Sequence, residues 1–396
     1  MDLSRFEPPA QAWQQISVGF QYPVLFTRDC LDPDNAALAW SITRGRQERR
    51  HATLVVVDEG VERAWPNLRA RVTAYLEQHQ SVLEQRGPIL VVRGGEAAKN
   101  DPQGVTRLLD AFADAHLDRH SAVVCIGGGA VLDAVGYAAA LVHRGVRLVR
   151  VPTTVLAQGD GGVGVKNGIN AYGAKNFLGT FAPPFAVVND ALWFETLEPR
   201  DIRAGLAEAV KVACIRDPQC FVWLENNAQA VTRPGPELEY AVRRCAELHL
   251  EHIRTSGDPF ELGSARPLDF GHWAAHKLEL LSAHDLRHGE AVNIGMRLDT
   301  HYSTRVGLLA SSERDRLMAL LDALGLPRSH PALTLSRDSK PMVLAGLDEF
   351  REHLGGKLSV TLLQRIGSGV EVNEIDTALM RECIDWLDPA NAGTGT

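Results

Sequence analysis

The segment SAVVCIGGGAVLDAVGYAAALVH, residues 121–143, decides the fold. It begins as an uninterrupted apolar run, as a strand buried on both faces of a parallel sheet requires. Three glycines, Gly127, Gly128 and Gly129, follow at once, and a helical pattern opens directly behind them. Glycine lets backbone amides approach a phosphate, and the start of a helix carries partial positive charge. The spacing is not the dinucleotide fingerprint GxGxxG, so a tight strand–helix turn and a phosphate cradle both stay open at this point. A literal GxGxxG does occur, at Gly159, Gly161 and Gly164, but it opens no evident helix and reads as a chance match.

Working outward, the same alternation recurs. HATLVVVDEG (51–60) reads as a buried strand, and a helical pattern runs through RAWPNLRARVTAYLEQHQSVLEQ (63–85). PILVVRGG (88–95) is a strand, GVTRLLDAFADAHLD (104–118) a helix, and RLVRVPTT (147–154) and AVVND (186–190) are further strands. Strand and helix in alternation give an α/β fold with a mostly parallel sheet covered on both faces. Beyond about residue 191 the period becomes helical, as in PRDIRAGLAEAVKVACI and ELEYAVRRCAELHLEHIRT, with LSVTLLQRIG (358–367) as a late strand. The expected division is an α/β domain over residues 1–190 and an α-helical domain over residues 191–396.

Three features carry chemistry. Asp58 closes the strand TLVVVD, where a carboxylate can hold a ribose hydroxyl pair. The stretch 159–184 contains seven glycines and the polar residues Asp160, Lys166, Asn167, Asn170, Lys175 and Asn176. It reads as a long functional loop suited to an anionic, hydroxyl-rich ligand such as a sugar phosphate, or else as a solvated surface loop. Finally, ARPLDFGHWAAHKLELLSAHDLRHGEAV (265–292) holds His272, His276, His284 and His288, four of the chain's fourteen histidines. His272 and His276 share a helix face, and a third metal ligand is available in Glu208, one acid on an apolar helix. Polar residues satisfied at helix ends are the alternative.

Composition excludes other classes. The formal net charge is −8 and there is no basic stripe, which argues against nucleic-acid binding. No stretch is long and apolar enough for a transmembrane helix, and the N-terminus lacks the pattern of a signal peptide. The six scattered cysteines form no CxxC and are expected to be reduced core thiols of a cytoplasmic protein.

GGGAVLDAVGYAAALVHRG, VPTTVLAQGD, the Lys175–Asn176 pair, GLAEAVK, LDFGHWAAHKLE and RHGEAV stand in one order. Together they resemble the sugar phosphate cyclases, the superfamily of 3-dehydroquinate synthase, from about residue 50 to 370. The resemblance implies the dehydroquinate synthase-like fold, a Rossmann-like NAD-binding domain over residues 1–190 and an α-helical metal-binding domain over residues 191–396, with the site in the cleft between them. It implies Glu208, His272 and His288 as ligands of Zn²⁺ or Co²⁺. It implies Asp58, Glu96, Lys99, Gly127, Gly128, Gly129, Asp133, Thr153 and Thr154 as NAD-binding positions. Asp160, Lys166, Lys175, Asn176, Lys211 and His276 match substrate and phosphate positions. Arg144 matches an arginine that reaches the neighbouring subunit's site, which implies a homodimer.

Departures from the dehydroquinate pattern point to the substrate. Where that branch holds its substrate carboxylate with a lysine and an arginine, this chain has His249 and Ala265, with Arg266 one residue off, and Asp269 stands in place of a neutral asparagine. Two lost cations and an added carboxylate make a poor site for an anion. ARPLDFGHW, GLDEFREHLGGKLSVTLL and QYPVLFTRDCLDPDN resemble instead the sedoheptulose 7-phosphate cyclases, which include the 2-epi-5-epi-valiolone and 2-epi-valiolone synthases. That likeness implies a lyase reaction with recycled NAD. Transient oxidation leads to β-elimination of phosphate, then re-reduction and aldol closure follow. Asp269 and His249 are expected to contact sugar hydroxyls. Neither the product epimer nor a role for Arg266 or His353 follows from it. The alternatives are 3-dehydroquinate synthase itself and a metal- and NAD-dependent polyol dehydrogenase, which would accumulate NADH.

Overall fold

The computed structural model describes residues 14–44, 46, 48–255, 260, 267–353 and 355–388. Ala265 and Arg266 lie outside the described residues, as do the termini 1–13 and 389–396.

In chain order the first half contains β1 (Val24–Thr27), α1 (Ala37–Thr43), β2 (His51–Asp58), α2 (Glu59–Ala64) and α3 (Leu68–Gln78). It continues with β3 (Leu83–Gln85), β4 (Leu90–Val92), α4 (Pro102–Asp114), β5 (Ala122–Gly127), α5 (Gly129–Leu141) and β6 (Arg147–Pro152). The hairpin strands β7 (Lys166–Ala171) and β8 (Ala174–Phe181) precede β9 (Ala186–Asp190). Seven strands form one sheet in the order β1-β9-β6-β5-β2-β3, with β4 also on β2, and every pairing in it is parallel.

The apolar runs explain the layering. Side chains alternate across a strand, so a strand apolar at every position can bury both faces. On β2, Val55 and Val57 pack with α1 and α3 on one face, among Leu38, Ile42, Tyr75 and Leu76. Leu54 and Val56 pack on the other face with α4 and α5, among Leu108, Phe112, Leu132 and Val135. On β5, Val124 and Ile126 belong to the first face, Val123 and Cys125 to the second.

Two sequence expectations change. The helical pattern over 63–85 is broken at Pro66 and ends at Gln78, and SVLEQ contributes β3. Proline has no amide hydrogen and clashes with the preceding turn, so one periodic stretch becomes α2 and α3. The stretch 159–184 is not an open loop. Ala157–Gly161 is a π-helical turn, and β7 and β8 pair antiparallel around Tyr172 and Gly173. Both turn residues have positive φ, 53° and 76°, the two-residue geometry that suits a hairpin. Its strands are polar and glycine-rich, so the apolar alternation that marks a strand is missing.

The second half contains α6 (Pro199–Arg216), α7 (Pro218–Asn227), α8 (Pro236–Thr255), α9 (His272–Leu281), α10 (His288–Arg305) and α11 (Ser311–Ala323). The short strands β10 (Ser336–Arg337) and β11 (Lys340–Pro341) follow, then α12 (Ala345–His353), the hairpin β12 (Val360–Arg365) and β13 (Ser368–Val372), and α13 (Thr377–Leu387). One apolar core unites these helices, with Leu206, Val210, Phe270, Trp273, Ile294 and Leu298 inside it. The helices that carry the candidate ligands cross in backbone contact. A Cβ on Gly289 would stand 1.8 Å from the Ala204 carbonyl oxygen, and one on Gly295 would stand 2.0 Å from that of Gly271. All six cysteines are buried and unpaired, as expected. Among the described residues no helix is long and apolar enough to cross a membrane.

Candidate active site

The histidines and Glu208 meet. Glu208 on α6, His272 at the start of α9 and His288 at the start of α10 place one ligand atom each within 4.8 Å of the others. Glu208 Oε1 lies 3.8 Å from His288 Nε2 and 4.0 Å from His272 Nε2, too far for hydrogen bonds. Glu208 is wholly buried, and its Oε1 accepts no hydrogen bond. A buried carboxylate oxygen without a donor is costly, and a cation between it and two imidazoles removes that cost. The residues therefore fit a divalent metal. The rings are also preset. His272 Nδ1 faces the Phe270 carbonyl at 3.2 Å and His288 Nδ1 faces Glu279 Oε2 at 3.1 Å, so in each ring Nε2 is left as the ligand. Burial holds the His272 ring neutral, well below the usual histidine range, and the Lys211 charge adds to this.

Lys211, one turn along α6, ion-pairs with Glu208 Oε2. Burial works against its ammonium, but Glu208, Asp160 and Asp269 outweigh it and keep the amine protonated well above its ordinary range. Asp160, in the π-helical turn, lies 3.1 Å from His249 Nδ1. Burial disfavours its carboxylate, yet the charges of His249, Lys211, His288 and Lys166 outweigh that and lower its pKa. His276 closes the group, its ring 5.5 Å from that of His272 and 6.2 Å from that of His288.

The positions expected to bind a nucleotide line the carboxyl ends of neighbouring strands, where open α/β sheets bind their ligands. Asp58 ends β2 and accepts the Gly60 amide at 2.7 Å. Burial raises its pKa, against the backbone amides of Gly60, Gly128 and Val61. A Cβ on Gly94 would stand 2.5 Å from Asp58 Oδ1, so the chain after β4 is close against that carboxylate. Lys99 is buried and bonds Asp133 on α5 at 2.9 Å. Glu96 Oε1 accepts from Asn170 of the hairpin at 2.6 Å. Gly127–Gly129 form the turn into α5, whose N-cap Gly128 has no side-chain cap, and Thr153 donates its amide to Gly127 at 3.0 Å. Thr154 Oγ1 accepts from the Ala157 amide at 3.1 Å, starting the turn that carries Asp160. The cradle fits a dinucleotide phosphate.

Three expected residues stand apart from this group. Lys175 reaches Glu279 Oε1 at 2.7 Å. Asn176 is exposed on β8, with its amide on Asn170 Oδ1 at 2.8 Å. Arg144 is exposed in the turn between α5 and β6, at the opposite edge of the sheet from Gly127–Gly129.

The structure adds three residues the sequence reading missed. Glu279 lies seven residues after His272, on the same face of α9, and that spacing was a usable signal. Asp299 accepts from the Gly271 amide at 3.0 Å and from Trp273 Nε1 at 2.8 Å, so it grips both neighbours of His272. Burial pushes its pKa up to about 7. Arg150 on β6 is wholly buried and bonds the carbonyls of Gly162, Gly164 and Lys166 at 3.0, 2.8 and 3.0 Å, and Asn167 Oδ1 at 2.6 Å. It thereby fastens the segment between Asp160 and Lys166.

Two families match in succession: 3-dehydroquinate synthase N-terminal over residues 89–204 and 3-dehydroquinate synthase C-terminal over residues 205–343. A 3-dehydroquinate synthase of Halorhodospira halophila is 38% identical over 274 residues, 69% of this chain and 75% of that protein. One of Rhodopseudomonas palustris is 31% identical over 370 residues, 91% of this chain and 92% of that one. Among solved structures, the 2-epi-5-epi-valiolone synthase of Streptomyces hygroscopicus, with NAD⁺ and Zn²⁺ bound, superposes with a TM-score of 0.83 at 29% identity. That alignment covers 95% of this chain and 99% of the other.

Proposed function

The chain belongs to the 3-dehydroquinate synthase family, and from that premise we propose that it is a sedoheptulose 7-phosphate cyclase. It binds NAD and a divalent metal, eliminates phosphate and closes a C7 cyclitol of the 2-epi-5-epi-valiolone or 2-epi-valiolone type. One observation carries the choice of substrate. Asp160, Glu208 and Asp269 share one buried ammonium, Lys211, and His249 is already engaged by Asp160 at 3.1 Å. A substrate carboxylate in that corner would add a further anion to three carboxylates already gathered around that ammonium, whereas sugar hydroxyls can donate to the carboxylates already there. The likeness to a 2-epi-5-epi-valiolone synthase along almost the whole chain supports this reading.

When bound, the metal supplies a Lewis acid at a substrate hydroxyl and NAD supplies a reversible hydride acceptor. The chain's own residues position and neutralise. Glu208, His272 and His288 hold the metal. Asp58, Glu96, Lys99, Gly127, Gly128, Gly129, Asp133, Thr153 and Thr154 hold the dinucleotide. Lys211, held protonated, receives the phosphate with Lys166 and His276. Asp160, kept ionised, accepts a hydrogen bond from a sugar hydroxyl, and Asp269 and His249 contact others. Arg144 lies at the far edge of its own sheet, which supports a role in a neighbouring subunit's site and hence a homodimer.

The curated relatives named 3-dehydroquinate synthase favour a second reading, in which the carboxylated substrate is used. Incubation of the purified protein with NAD, Zn²⁺ or Co²⁺ and each substrate distinguishes them. Phosphate release from sedoheptulose 7-phosphate, a C7 cyclitol by mass and NMR, and no NADH build-up are expected. Turnover of the carboxylated substrate alone overturns the proposal, and steady NADH accumulation marks a dehydrogenase instead.

A further inference from the structure

Lys175, in the 159–184 stretch, has its partner in the helical half of the chain. It projects from β8 to α9, where its ammonium meets Glu279 Oε1 at 2.7 Å. The other oxygen of the same carboxylate faces His288 Nδ1 at 3.1 Å. Glu279 is only 5% exposed, so each of its oxygens depends on one of these two partners. Burial opposes its ionisation, but His288 and Lys175 outweigh burial and hold it well below the ordinary carboxylate range. A hairpin, a helix and a candidate metal ligand are thus joined through a single carboxylate.

We propose that Lys175 is a positioning residue of the metal site, acting through Glu279 on the ring of His288, rather than a residue that touches substrate. The inference rests on Glu208, His272 and His288 being the metal ligands. The physical cause is the cost of a buried acceptor without a donor. With the ammonium removed, Glu279 Oε1 has no partner, and the carboxylate relaxes by turning or by admitting water. Either movement loosens its grip on His288, and outer-sphere partners of ligating histidines govern metal affinity. The hairpin is anchored on its other side to the chain after β4. Asn170 bonds Glu96 at 2.6 Å, Asn100 at 2.9 Å and the Lys99 carbonyl at 3.0 Å. Lys175 is therefore held at a fixed distance from the helical half and does not follow His288 if that ring shifts.

The test uses the full chain, stripped with a chelator and titrated with Zn²⁺ against a chromophoric competitor, and the absorption bands of the Co²⁺-loaded protein. Lys175→Met is expected to weaken Zn²⁺ binding by roughly 10-fold or more and to shift the Co²⁺ bands, in the range typical of lost outer-sphere partners. Lys175→Arg, which keeps a cation on Glu279, is expected to restore affinity to within about threefold. Lys277→Met removes a lysine from the same helix whose partner is Glu349, and it is expected to leave metal binding unchanged. If Lys175→Met does not fold, Lys175→Gln is read in its place. Wild-type affinity and an unshifted Co²⁺ spectrum in the Met or Gln variant overturn the inference and leave the metal site standing. A wild-type chain that takes up no stoichiometric metal overturns both.

Discussion

Arg150→Lys isolates what a buried fork of donors does that a point charge cannot. The two terminal nitrogens of Arg150 serve four acceptors between 2.6 and 3.0 Å, three of them backbone carbonyls of Gly162, Gly164 and Lys166. A lysine keeps the charge, but its single nitrogen cannot stand in two places, and the acceptors are grouped by two separate nitrogens. About two acceptors then lose their donor beside a wholly buried side chain. At roughly 1–3 kcal/mol for each buried unsatisfied group, a loss of about 3 kcal/mol is expected. For a chain of this size that corresponds to a fall in Tm of roughly 3–5 °C. The loss is local, because all four acceptors lie between Asp160 and the first residues of β7. Hydrogen exchange is therefore expected to rise over residues 157–171 and to stay unchanged in β2 and β5. Displacement of Asp160 and Lys166 by even about 1 Å is expected to reduce turnover by roughly 100-fold. A variant with wild-type Tm and unchanged exchange over 157–171 refutes the reasoning, since it would mean the four bonds contribute nothing.

Two further outcomes follow from the geometry. Glu208→Gln is nearly isosteric but removes the anionic ligand, and it is expected to lower metal affinity by more than the roughly 10–100-fold typical of outer-sphere changes, and turnover with it. Metal content and turnover at wild-type level would remove Glu208 from the metal site. His301 stacks on Trp386 at 3.9 Å between centroids, and burial, with help from Arg314 and Arg305, lowers its pKa to about 4. Its unfolded value is about 6.5, so the unfolded chain takes up the proton first and stability is lost as pH falls from about 6.5 to 4. The full shift corresponds to about 3 kcal/mol, and solvent screening at the ring edge reduces this to about 2 kcal/mol. His301→Phe keeps the stack and is expected to lose less Tm between pH 7 and pH 4.5 than the wild type. Equal acid sensitivity of the two proteins would exclude His301 as a source of it.

The sequence alone determined the layered first half, because runs such as TLVVV and AVVCI can be satisfied only by burial on both faces. It also determined the glycine turn before α5 and, through the resemblance, the meeting of Glu208, His272 and His288. These features are local in the chain or carried by residue identity. Only the tertiary structure decided the hairpin β7–β8, whose strands lack apolar alternation and are held instead by Arg150 from beneath and by Asn170 against Glu96. It alone paired Lys175 with Glu279, 104 residues apart, and set Asp299 against both neighbours of His272. The physical reason is the same in each case. A buried charge must find a partner, and which partner it finds depends on where distant segments are packed, which no periodicity in the chain records.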